Sequence, residues 1–169
     1  MAVLLAVANI AAASGPDDNI HTPDLPPQCS ELQVPAGHRL AFRTYAVGVQ
    51  VYRWNGAAWA FVAPIANLYA SADFRGRVGY HYAGPTWEGL FGSSVVGRRV
   101  AGCSVDPTAI DWLLLEAASN DDRGLFGRVT HIQRINTAAG RAPSTSGTTI
   151  GQEARVPYTT EYYFYRPER

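Results

Sequence analysis

Beyond its first fourteen residues the chain contains no stretch in which apolar side chains recur every three or four positions. That absence constrains the fold most, because a helix needs such a stripe to bury one face. Short runs rich in β-branched and aromatic residues stand there instead, bounded by Gly, Pro, Asn and Asp. Nine of them read as strands: "HRLAFRTYA", "GVQVYRW", "AAWAFVA", "ANLYAS", "GRVGYHYA", "SVVGRRVAG", "DWLLLEA", "RVTHIQRIN" and "RVPYTTEYYFYR". The segment "TAIDWLLLEAAS" contains helix-forming residues, yet its four-residue apolar run suits a strand buried on both faces. Asn55-Gly56 predicts a hairpin on a type I′ turn, whose two central residues both hold positive φ. Hairpin-length links between so many strands predict an all-β fold, a single antiparallel β-barrel or sandwich, with a Greek key among the topologies open to it.

Three regions divide the chain. Residues 1–14, "MAVLLAVANIAAAS", resemble the apolar region and cleavage zone of a signal peptide, although no basic residue precedes the run. The run is too short to span a bilayer, which takes about 20 apolar residues. Residues 15–36 hold five prolines and read as a linker or strap. Residues 37–169 form the β domain. Cys29 and Cys103 are the only cysteines. They suit one disulfide in an exported protein, closing a loop of about 75 residues. Arginine and acidic residues balance at 14 each, with no lysine. A neutral chain without a basic stripe argues against nucleic acid and against electrostatic docking to membranes. Membrane attachment would rest on an uncleaved N-terminal segment.

The stretch "VGYHYAGPTWEG" concentrates the residues capable of chemistry. It reads as a strand over Val78–Tyr82 running into a turn over Ala83–Gly89, with Trp87 against the barrel end and His81 on the opposite face. Only four histidines are present, His21, His38, His81 and His131. The last three lie on separate strands, so convergence depends on register. No G-x-S-x-G elbow or dinucleotide fingerprint occurs. Glu88 and Asp111 are a weak carboxylate pair. Aromatic residues cluster at the first hairpin (Tyr45, Tyr52, Trp54, Trp59) and along "TEYYFYR", where one strand face can serve the core and the other a ligand or partner.

Five stretches, "GVQVYRWNGAAWAFVAP", "VGYHYAGPTWEG", "WLLLEA", "VTHIQRINTAAGRAP" and "VPYTTEYYFY", resemble a family of exported bacterial, fungal and plant proteins catalogued as a domain of unknown function. The resemblance runs from about Leu32 to Tyr165. It implies secretion and a β-rich fold and carries no established chemistry. A fainter one concerns "GYHY", which is similar to half of the Gly-aromatic-His-x-His motif of copper/zinc superoxide dismutases, with Tyr82 in place of the second histidine. That resemblance implies copper held by His21, His38, His81 and His131, and Arg77 or Arg134 drawing in superoxide. The leading expectation is therefore an exported cell-envelope barrel with a copper-dependent, superoxide dismutase-like activity. The alternative is a non-catalytic envelope module that binds a protein partner, or an apolar or saccharide ligand, through an aromatic face.

Overall fold

A computed structural model describes residues 21–168. The signal-like segment 1–14 and residues 15–20 of the strap lie outside them. The β domain is one closed antiparallel sheet of eight strands in chain order: β1 (His38–Trp54), β2 (Trp59–Tyr69), β3 (Arg77–Tyr82), β4 (Thr86–Gly89), β5 (Ser94–Cys103), β6 (Trp112–Asn120), β7 (His131–Ala139) and β8 (Glu153–Pro167). The expected all-β barrel is present. Its connections are up-and-down, not Greek key. β1 pairs with β8 from His38↔Pro167 to Arg53↔Glu153, which closes the ring and leaves no edge strand.

The nine expected strands become eight for three local reasons. "HRLAFRTYA" and "GVQVYRW" form one continuous strand, as do "AAWAFVA" and "ANLYAS". Conversely, the expected turn "GPTWEG" contains a strand of its own, β4, paired with β3 and β5. "DWLLLEA" is a strand, buried on both faces at Leu113, Leu114 and Leu115. The first hairpin exists, but its turn is not type I′. Trp54 pairs with Trp59, leaving a four-residue loop in which Gly56 has φ 98° while Asn55 does not enter the left-handed region. Asn55 acts through its side chain instead, with Oδ1 accepting from the backbone N–H groups of Ala57 and Ala58 at 2.9 and 2.8 Å.

Two apolar clusters lie on opposite sides of the barrel wall. Inside, Phe42, Phe126 and Phe164 meet at centroid distances of 4.6–5.6 Å and plug the end where β6 passes to β7. Outside, the strap's 3₁₀ turn (Pro27–Leu32) lays Cys29, Leu32 and Val34 over Leu114, Ile135, Tyr163 and Tyr165. The bridge Cys29–Cys103 pins it there, with Cα atoms 5.5 Å apart. Gln133 adds a polar fastening: its Nε2 donates to the Leu32 carbonyl at 2.7 Å, and its Oε1 accepts from the Tyr165 hydroxyl at 2.6 Å. Part of β8's second aromatic face, expected to meet a ligand or partner, is thus covered by the chain's own strap.

A buried disulfide belongs in an oxidising compartment outside the cytoplasm. Among the described residues no helix is long and apolar enough to cross a membrane. Bridging residues 74 apart contributes about 4.5 kcal/mol on the chain-entropy model. Thiol titration of the native protein should find no free thiol. Urea unfolding with and without reductant should show a stability loss of about that size. Two reactive thiols in the native state would contradict the bridge.

Candidate functional site

Alternation along the strands decides which side chains enter the barrel. On β8 these are Tyr158, Thr160, Tyr162 and Phe164, all at most 3% exposed. Opposite them, β1 contributes Thr44, Ala46 and Gln50, β6 contributes Leu113 and Leu115, and β3 and β4 contribute His81 and Trp87. The phenylalanine plug fills one end. The other end stays open beneath the β1–β2 hairpin, the β3–β4 turn at Gly84-Pro85 and the long connections that precede β6 and β8.

The open end holds an inner chamber of about 150 Å³ walled by Pro64, His81, Trp87, Leu113, Leu115 and Tyr162. It widens into a vestibule of about 570 Å³ that adds Tyr52, Asp111 and Arg141. Gln50, Phe61, Leu113, Arg99 and Arg134 line both volumes and so form the neck. Bulges shape this neck. The β1–β2 register slips so that Tyr52 faces Phe61, which turns both Phe61 and Val62 toward the opening. A second slip beside Arg99 on β5 lies where that guanidinium reaches the neck.

His81 and Trp87 are cross-strand partners and therefore face the same way, contrary to the expectation that they point apart. Their rings stack at 4.3 Å, and Tyr162 meets both edge-on at 5.1 and 5.2 Å. Gly97 lies under the indole, where a Cβ would come 2.9 Å from Trp87 Cζ3. The His81 Nδ1 lies 2.8 Å from the Thr86 carbonyl oxygen. A carbonyl only accepts, so Nδ1 carries the proton and Nε2 keeps a lone pair. Burial pushes the His81 pKa down to about 3; the Thr86 contact opposes this, and Arg134 adds to it.

The neck is cationic. Arg134 donates from Nε and Nη2 to the Asp111 backbone carbonyl at 3.1 and 2.8 Å. Arg141 and Arg99 approach the Asp111 carboxylate at 3.4 and 3.8 Å. Three guanidiniums thus face one carboxylate. The Tyr158 and Tyr162 hydroxyls and Gln50 Nε2 are buried and make no hydrogen bond of good geometry among the described residues, although Gln50 and Tyr162 both lie near the Tyr158 hydroxyl and Arg134 near that of Tyr162. Burial raises the pKa of both tyrosines, so each is a neutral donor.

The expected metal ligands occupy three places. His38 and His131 meet edge-on at 4.4 Å on the outer side of the barrel, where Nδ1 of His38 contacts the Pro35 carbonyl and that of His131 the Thr130 hydroxyl. His81 is inside, across the wall, and His21 is exposed in the strap. No group of three or more His, Cys, Asp or Glu able to hold a metal forms among the described residues. A redox copper needs several nitrogens around one point, so the four-histidine set does not fit a single copper centre. Of the two expected arginines, Arg134 lies in the neck, whereas Arg77 is exposed over the Tyr80 ring at 5.1 Å. Glu88 and Asp111 take different partners, Tyr82 on the outer surface and the arginines at the mouth. Gln50 and Arg99 escaped the sequence reading, and Tyr162 entered it only as one of the aromatics on a face of the last strand. Their one signal is a polar group on the core-facing parity of a strand.

The family model described as "Protein of unknown function (DUF3455)" matches residues 35–166. The chain belongs to the DUF3455 family. The match begins at the end of the strap and takes in all eight strands, so the family unit is the barrel itself. No curated protein and no solved structure matches the chain.

The His81 environment has a direct consequence. Its folded pKa lies below the unfolded value of about 6.5, so the unfolded chain binds a proton first as pH falls. The resulting stability is complete above about pH 6.5 and lost toward about pH 3, at about 1.4 kcal/mol per pH unit. Nitrogen NMR should show the Nδ1–H form, untitrated down to about pH 4. A midpoint near the ordinary histidine value of about 6.5 would contradict the buried stack.

Proposed function

We propose that this DUF3455 protein is an exported binding module that holds a small ligand, with an apolar body, inside its barrel. The observation that carries this reading is the chamber beside His81 and Trp87. It is mostly apolar, opens at one end, and presents buried polar atoms without a well-formed hydrogen bond among the described residues. Sites of this form, apolar walls with a few convergent polar groups, are typical of small-molecule binding. A cavity of this size accommodates one benzene-sized ring. The buried disulfide and the signal-like N-terminal segment support an extracytoplasmic setting.

The interior is favoured over an outer aromatic surface because the strap covers Tyr163 and Tyr165. At the first hairpin Trp54 and Trp59 pack on each other at 5.5 Å, and the Trp59 indole N–H donates to the Thr145 carbonyl at 2.8 Å. Those aromatics are engaged in holding the β7–β8 connection.

NMR titration with single-ring compounds of neutral, anionic and cationic type tests the reading. At least one should produce saturable shifts at the Trp87 indole N–H, and Leu113→Trp, which fills the chamber, should abolish them while unfolding stays cooperative. Absence of a saturable response across all three types would overturn the interior site.

A further inference from the structure

We propose that the ligand held in this chamber is a small aromatic carboxylate; the inference rests on the interior-binding reading and names its ligand class. Three independent features of the mouth converge on it.

Size sets the apolar part. The inner chamber takes one ring and little more, and the stacked His81–Trp87 pair with the Tyr162 edge gives a flat guest aromatic neighbours.

Hydrogen-bond polarity sets the functional group. Gln50, Tyr158 and Tyr162 are each at most 2% exposed, and Gln50 Nε2 and the two hydroxyls lie near one another without a hydrogen bond of good geometry among the described residues. All can donate, and Gln50 and Tyr162 line the chamber. Gln50 Nε2 can only donate, so a guest that satisfies it must bring an acceptor, to which the hydroxyls can donate as well. A buried donor left unmet is costly, so an acceptor-poor guest would bind weakly.

Charge sets the ionisation state. Arg99, Arg134 and Arg141 line the vestibule with Asp111 as its one carboxylate, a surplus of two positive charges in the lining that Asp106, near Arg141, offsets only in part. Over the whole chain the formal charge is zero. Arg134 spends two N–H groups on a backbone carbonyl, which leaves its charge uncompensated. Arg99 forms no hydrogen bond among the described residues and approaches Asp111 only at 3.8 Å. The planar fork of a guanidinium matches a carboxylate. Arg99 and Arg134 line both the chamber and the vestibule, so a benzoate-like anion would place its ring inside and its carboxylate between them. Arg99 is then a specificity-determining residue. A guest carrying a cation would be repelled.

The test is a titration of the full, disulfide-bonded chain with sodium benzoate, benzamide and benzylamine, followed at the Trp87 indole N–H. Benzoate should bind at least tenfold more tightly than its neutral isostere benzamide and weaken with added sodium chloride, while benzylamine should not saturate. Arg99→Met should cost benzoate at least tenfold and leave benzamide unchanged, and Arg99→Lys should restore part of the loss. Equal binding of benzoate and benzamide would overturn the carboxylate assignment and leave the interior site standing. No saturation by any of the three would overturn both, with the donors then satisfied by water alone. Benzoate shifts confined to the distant surface arginines Arg39, Arg128 and Arg166 would mean an adventitious anion and also overturn it. The benzoate–benzamide comparison uses the native protein, so it decides the matter even where a variant does not fold.

Discussion

The pairing of β1 with β8 is the interaction on which everything else rests. It joins the two ends of the β domain over fifteen residue pairs and turns a sheet with two sides into a barrel with an inside. The ion pairs along this seam, Arg53–Glu153 and Arg43–Glu161, are partly solvated and contribute little. The seam holds because its inner face is apolar, with the Phe42 ring of β1 stacked on Phe164 of β8 at 4.6 Å. Without that closure, Tyr158 and Tyr162 would face solvent and no chamber would exist. The strap performs a related task on the outer wall, covering apolar residues of β6, β7 and β8 that closure alone leaves exposed.

An eight-stranded barrel is just wide enough for side chains to fill it. Here they fill it unevenly. Phe42, Phe126 and Phe164 pack one end to completion. Toward the other, glycine stands at Gly48 and Gly97 on inward positions, and polar Gln50 and His81 replace larger apolar groups. Buried polar atoms there make no well-formed hydrogen bond among the described residues, which a packed apolar core would avoid. Such exceptions tend to mark functional ground, and in this fold they sit together beneath a ring of arginines.

Fold class was legible in the sequence because strand chemistry is local. "RVPYTTEYYFYR" and "DWLLLEA" announce strands through β-branched, aromatic and continuous apolar residues, and both are strands. Boundaries were less legible. Nothing local says that "HRLAFRTYA" continues into "GVQVYRW", since Gly48 looks like a break and is a point of close approach to Ala66. The Asn55-Gly56 step marked a hairpin correctly, yet loop length, not dipeptide identity, set its turn. The Cys29–Cys103 bridge was readable because only one intrachain pairing exists.

The site was much less legible, because it depends on register. His81 and Trp87 were singled out, but their stacking follows from direct pairing of β3 with β4, in a segment that reads as a turn. His131 and His38 do meet, and the wall separates them from His81. Arg99 hides beside Arg98 in "GRRV"; one enters the neck and the other bonds Glu116 on the outside. Val95, Gly97 and Arg99 share the inward parity, but the bulge beyond Arg99 interrupts it, so the strand's pattern taken whole does not sort the two.

Anomalous diffraction from crystals grown with 4-bromobenzoate tests the central claim most directly, that closure of the sheet creates an interior site for a small aromatic anion. The expected result is one bromine peak inside the barrel between Trp87 and Leu113, with the carboxylate at Arg99 and Arg134. A chamber without bromine, or peaks only on the outer surface, would contradict it.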